Sequence, residues 1–163
     1  MSSVVKGVCL KIEGTHRIRA PRECVFAALV DPAVLQKCIP GCEQMEKTGE
    51  NQYNAKFSAR VGPVMGVFAA TIALQDITAP EHYKLLLEGK GQPGFVKGAG
   101  ELNLSQEGPE TSILYTGDVN VGGLLASVGQ RMIQGTASMM AGRFFGCLES
   151  EAKNLSKSPS QVS

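Results

Sequence analysis

The chain has 163 residues, a formal net charge of +1, and 19% charged against 43% hydrophobic residues. That is the size of one domain with length enough for a full core. Its basic residues are scattered and Trp is absent, so a nucleic-acid partner is excluded from the expectations.

The opening MSSVVKGVCL lacks the long apolar stretch of a signal peptide. No apolar run approaches the roughly 18 residues that a spanning helix needs. A cytoplasmic chain is therefore expected, with residues 1–7 as a disordered tail. Cys9 to Arg19 alternates, with Leu10, Ile12 and Ile18 on one side and Lys11, Glu13 and Arg17 on the other. That is a half-buried strand. Ala20-Pro21 opens a helix with proline in its first turn and Glu23 nearby. Asp31-Pro32 caps a second short helix through Leu35 to Cys38, and Pro40-Gly41 ends it.

Five or six strands follow. Tyr53, Ala55, Phe57 and Ala59 alternate with Asn54, Lys56, Ser58 and Arg60. Phe68 to Ile77 is closed by Ala79-Pro80, and Tyr83, Leu85 and Leu87 alternate with Lys84, Leu86 and Glu88. Val96 to Ser105, the turn Gly108-Pro109, and Ile113 to Val121 complete the run. Short links imply antiparallel pairing. Gly122 to Lys153 reads as one long helix, and Ser156 to Ser163 as a second disordered tail. The order predicts an α+β domain over residues 8–155: one curved antiparallel sheet of about six to seven strands, two short helices after strand 1, and a long C-terminal helix gripped by the sheet.

The long helix is studded with Gly129, Gly135, Gly142 and Gly146, each costing roughly 1 kcal/mol relative to alanine in a helix interior. Gly14, Ala55, Ala59, Gly89, Gly98, Gly100 and Gly117 fall on the inward side of the strands. Small residues on both facing surfaces accommodate sheet curvature, or leave an apolar space of the kind small ligands occupy. The candidate lining from the short helices and the sheet is Phe26, Leu35, Phe57, Phe68, Leu87, Phe95 and Tyr115. On a helical wheel, Leu125, Met132, Met139, Met140 and Phe144 supply the opposite wall. His16 and Arg143 are the candidate polar contacts. Arg143 falls on the apolar side of the wheel, so either the helix bends at Gly142 or its guanidinium meets a ligand at the cavity mouth.

Catalytic and metal motifs are weak. Gly89 to Gly94 matches G-x-G-x-x-G, but Pro93 interrupts it and a strand follows, so it reads as a hairpin loop and not as a dinucleotide site. Five scattered cysteines, Cys9, Cys24, Cys38, Cys42 and Cys147, read as reduced thiols. No metal, no cofactor and no nucleophile set is expected, and paired inward carboxylates are absent.

The runs DPAVLQKCIPGCE (Asp31 to Glu43), GPVMGVFAATIAL (Gly62 to Leu74), GKGQPGFVKGAGELNL (Gly89 to Leu104) and DVNVGGLLASVGQRMIQGTASMMAGRFF (Asp118 to Phe145) resemble the CoxG family of carbon monoxide dehydrogenase subunits. The resemblance covers nearly the whole ordered chain. It implies a START-like, SRPBCC helix-grip fold around an apolar cavity. It also implies a non-catalytic accessory protein of molybdenum-containing carbon monoxide dehydrogenases or related hydroxylases. Its expected partners are a hydrophobic small molecule (quinone or lipid) and the hydroxylase subunits, with a peripheral contact at the inner face of the cell membrane, where it would aid docking or electron handover. Many relatives carry a longer C-terminal extension than the short polar tail here. The competing expectations are a START-like enzyme of cyclase or hydrolase type, for which His16 is the inward candidate, and a pure protein–protein adaptor.

Overall fold

The computed structural model describes residues 8–157. Strand β1 (Val8–Ile18) leads into two short helices, α1 (Arg22–Val30) and α2 (Pro32–Cys38). Six strands follow: β2 (Cys42–Gly49), β3 (Gln52–Val61), β4 (Val64–Thr78), β5 (His82–Gly91), β6 (Gly94–Glu107) and β7 (Glu110–Gly122). A 3₁₀ turn (Gly123–Val128) and a long helix, α3 (Gln130–Lys157), complete the chain. All neighbouring strands are antiparallel, in the order β1-β7-β6-β5-β4-β3-β2. The sheet is thus a meander from β2 to β7, with β1 returning beside β7.

Local chemistry accounts for the helix starts. Pro21 stands in extended conformation before α1 and leaves no donor unpaired there. Asp31 accepts from the Ala33 amide at 2.9 Å, and Pro32 fills the first position of α2. The buried Thr111 hydroxyl donates to the Ala20 carbonyl at 2.8 Å and fixes the turn between β1 and α1 against β7.

The inner face of α3 carries Ile133, Ala137, Ala141, Phe145, Leu148 and Ala152, all buried or half-buried. It packs against α1, α2 and β1. The core falls into two clusters. One joins α1, α2, α3 and the inner sheet face around Ile113, Leu148 and Val25. The other, Leu10, Val61, Phe68, Val121, Leu125 and Ile133, fills the end where the long hairpins turn.

Four expectations need correction. Strand β2 is an element that the sequence does not mark: in CEQMEKTG only Met45 is buried, so no alternation signals this polar edge strand. The long helix does not begin at Gly122. Residues 123–128 form a 3₁₀ turn, and Gly129, at φ +94°, separates it from α3. Such a backbone angle favours glycine. The helix also runs to Lys157, so the expected tail beginning at 156 starts inside it. The rest of that tail, 158–163, and the N-terminal tail, 1–7, lie outside the described residues. Finally, Cys38 of α2 and Cys147 of α3 are not reduced thiols. They are joined in a disulfide with Cα atoms 5.3 Å apart, a separation suited to the bridge. They lie 109 positions apart in sequence, and only the packing of α2 on α3 brings them together.

Candidate functional site

Between the concave sheet face and α3 lies a cavity of about 420 Å³, within the usual range for small-ligand sites. Strands β3, β4, β5 and β6 supply Tyr53, Ala55, Phe57, Ala70, Ile72, Leu74, Tyr83, Leu85, Leu87 and Leu102. Helices α1 and α2 and the start of β2 close one side with Leu29, Leu35, Ile39, Pro40, Cys42 and Met45. Ile12 and Tyr115 line it from β1 and β7, and α3 contributes Ala137, Met140, Ala141, Phe144 and Phe145.

Why the space exists follows from residue size. Ala55 and Ala70 stand opposite each other on β3 and β4, and Ala137 and Ala141 are one turn apart on α3. All four line the cavity. A short side chain on both walls leaves a gap that bulky neighbours do not reach. The glycines of α3 play no part in this. A Cβ at Gly135, Gly142 or Gly146 would meet nothing within 4 Å, and all three sit on the exposed face. On the sheet, a Cβ at Gly100 would stand 2.8 Å from the Thr116 carbonyl oxygen, so that glycine serves close strand approach.

Of the residues expected to line the space, Leu35, Phe57, Leu87, Tyr115, Met140 and Phe144 do so. The others do not. Phe26 is buried edge-on against Tyr83, ring centroids 5.8 Å apart, behind the cavity wall. Phe68 stacks on Phe57 at 5.6 Å but belongs to the second cluster, as does Leu125. Phe95 packs on Gly122, which has no side chain to fend it off. Met132 and Met139 lie on the exposed face of α3.

Arg143 is exposed as well, and α3 is continuous through Gly142. The error in all three is one of helical phase. The 3₁₀ turn and Gly129 break the wheel before α3 starts, so angles counted from Leu125 do not carry into it. His16 does not line the cavity. Its ring stacks on Phe145 at 4.5 Å and lies 6.2 Å from Tyr115, while Tyr115 and Phe145 are 5.1 Å apart. This aromatic stack backs one wall.

Missed by sequence reasoning were Ala70, Ala137 and Ala141, Tyr53, Tyr83 and the α2–β2 corner with Ile39, Pro40 and Cys42, whereas Ala55 stands among the inward small residues that the sequence marks. Inward alternation marked Tyr53 and Tyr83, and it could have identified them.

The site's chemistry is sparse. No Asp, Glu, His, Lys or Arg lines it. Tyr53 donates to the Val30 carbonyl at 2.7 Å, and burial raises its phenol above the ordinary range, with Asp31 adding to the effect. Burial raises the Cys42 thiol, a hydrogen bond with the Gln44 backbone works in the other direction, and Glu43 adds to the rise. Such a thiol is a poor nucleophile at neutral pH. Among the described residues, no group of His, Cys, Asp and Glu could hold a metal ion. No helix in the same residues is long and apolar enough to cross a membrane.

Residues 14–153 match the family model for CoxG, a carbon monoxide dehydrogenase subunit. No curated protein matches the chain at a significant level. A conserved protein from Geobacillus kaustophilus is 37% identical, with 89% of this chain and 96% of that one covered at a TM-score of 0.85. The Zhui aromatase/cyclase from Streptomyces sp. R1128 shares the fold at 14% identity, with 90% and 94% covered and a TM-score of 0.70. A START superfamily protein from Mycobacterium smegmatis does so at 16% identity, with 89% and 98% covered and a TM-score of 0.67.

Proposed function

The chain belongs to the CoxG family of carbon monoxide dehydrogenase subunits, and on that footing we propose a non-catalytic accessory protein that carries an apolar molecule. The ligand is an isoprenoid quinone or a lipid held in the cavity. The partner is a molybdenum-containing carbon monoxide dehydrogenase or a related hydroxylase. The observation that carries the reading is a cavity of about 420 Å³ lined without a single Asp, Glu, His, Lys or Arg. Burying a hydrocarbon chain there gains about 0.8 kcal/mol per CH₂, so binding needs little polar chemistry. A cyclase or hydrolase would need an acid–base pair at the substrate, and His16, the residue expected to serve, lies in the aromatic stack behind the wall.

A peripheral membrane contact is part of the proposal and has a physical candidate. The β3–β4 turn, the β5–β6 turn and the 3₁₀ segment meet at one end of the molecule. The Leu125 amide donates to the Pro93 carbonyl at 2.7 Å, and a Cβ at Gly62 would stand 3.3 Å from Met132 Cε. Met65 and Leu124 project there, 67% and 62% exposed. The segments 60–67, 89–94 and 122–132, which make up that end, contain Arg60, Lys90 and Arg131 and no Asp or Glu. Apolar tips flanked by cations suit an anionic bilayer surface.

Organic extraction of protein purified from its native host, followed by mass spectrometry, tests the carrier reading. A co-purifying quinone or lipid near one per chain is expected. Failure to find one, together with no uptake of quinone by the emptied protein, would overturn it.

A further inference from the structure

The protein has three tyrosines, and all three line the cavity. Their hydroxyls are not equivalent. Tyr53 spends its proton on the Val30 carbonyl. The Tyr115 hydroxyl lies over Gly14, where a Cβ would come within 2.6 Å of its oxygen, so it sits against the β1 backbone. Tyr83 is 4% exposed, and its hydroxyl makes no hydrogen bond among the described residues. Nor is it sealed in protein, since among the described residues Arg22 Nε is the one side-chain atom both enclosed and unpartnered. The open space beside so deeply buried a residue is the cavity that it lines.

An unpaired hydroxyl in an apolar interior carries a desolvation cost that nothing offsets. It is therefore a built-in demand for an acceptor. We propose that Tyr83 donates a hydrogen bond to a neutral oxygen of the bound ligand, a carbonyl, and so places the polar end of that ligand against the Tyr83 wall of the cavity. Neutrality follows from the lining. No cation faces the space, and an ionised carboxylate brought into it would be uncompensated. Burial holds the Tyr83 phenol far above its ordinary range, with Tyr53 adding to the effect, so it stays protonated and remains a donor. The ligand class is thus a carbonyl- or ester-bearing apolar molecule, in preference to a free fatty acid or a plain hydrocarbon. This deepens the carrier reading and rests on it.

The test compares wild type with Tyr83→Phe, a substitution that removes the hydroxyl and keeps the ring. Four probes are titrated into delipidated protein: a prenylated quinone, a fatty-acid methyl ester, the matching free acid, and squalene. Wild type is expected to bind the quinone, the ester or both more tightly than the acid. Tyr83→Phe is expected to lose about three- to tenfold for the carbonyl ligand and nothing for squalene. Whichever carbonyl probe shows the loss identifies the source. In the infrared, the carbonyl stretch of the bound ligand should lie lower in wild type than in the variant. Equal carbonyl affinity and equal stretch in both proteins, with squalene bound, would overturn the role of Tyr83 and leave the carrier reading standing. Binding of no probe by either protein would overturn the carrier reading itself. Thermal melting of Tyr83→Phe within a few degrees of wild type shows that the fold is intact.

Discussion

At the scale of single residues, the cavity is a consequence of where alanine stands. Ala55 and Ala70 on the sheet and Ala137 and Ala141 on α3 all line it, and larger side chains at these points would close it. The nearby Cys42 reports on the space. Its thiol is raised by burial, so its thiolate fraction at neutral pH is small. Alkylation at neutral pH should proceed at exposed Cys9 well before Cys42, and a bound apolar ligand should slow Cys42 further. Peptide mass mapping with and without added quinone checks both. Alternation in β3 and β5 made Phe57 and Leu87 legible as inward residues, because a strand has a fixed period and both lie in mid-strand. Ala55 was legible in the same alternation, whereas Ala70, Ala137 and Ala141 carry too little hydrophobicity to mark an inward face by themselves.

At the scale of elements, α3 shows what a wheel can miss. Its gripping role was legible from order and length. Its phase was not, since Gly129 at φ +94° resets the helix after a 3₁₀ turn. Met132, Met139 and Arg143 are spaced so as to share one side, and that side faces out. The exposed glycines give a prediction with a definite sign. Gly135→Ala, Gly142→Ala and Gly146→Ala meet no neighbour, and each should stabilise the protein by about 0.5–1 kcal/mol in chemical denaturation. A loss at any of them would show that the outer face is occupied.

The C-terminal half of α3 is tied to the turn that follows β1. The Arg19 amide donates to Glu149 Oε2 at 2.9 Å, and the Arg19 side chain lies 3.4 Å from the same oxygen. The amide hydrogen bond is the main cause that holds the Glu149 carboxyl below its ordinary range, against the opposing effect of burial. Its stabilisation is present above the ordinary glutamate value and is lost as pH falls through the lower folded value. Glu149→Gln should therefore be about 1 kcal/mol less stable at neutral pH. That deficit should close as pH drops below about 4.3, as read from melting curves across the acid range.

At the scale of the whole molecule, charge and apolar surface are segregated. The end built from the β3–β4 and β5–β6 turns and the 3₁₀ segment has exposed Met65, Leu124 and Met132 and no acid in its sequence. The other turns carry Glu50, Asp76, Glu81, Glu107 and Glu110. Sedimentation with vesicles containing anionic lipid should retain the protein at low salt and release it at high salt. Combined Arg60→Glu, Lys90→Glu and Arg131→Glu should abolish retention without altering ligand uptake. Residues scattered along the chain converge on that end only after folding, which is why composition alone gave no hint of it.

If the alanine-made cavity is the ligand site, filling it must abolish binding without unfolding the protein. Equilibrium binding of a prenylated quinone to delipidated protein should be compared with binding to Ala70→Leu/Ala141→Leu, which fills the space with apolar atoms. One site is expected in wild type, and at least about tenfold weaker binding by a variant that still unfolds cooperatively. Equal affinity in the two proteins would place the ligand elsewhere and contradict the assignment.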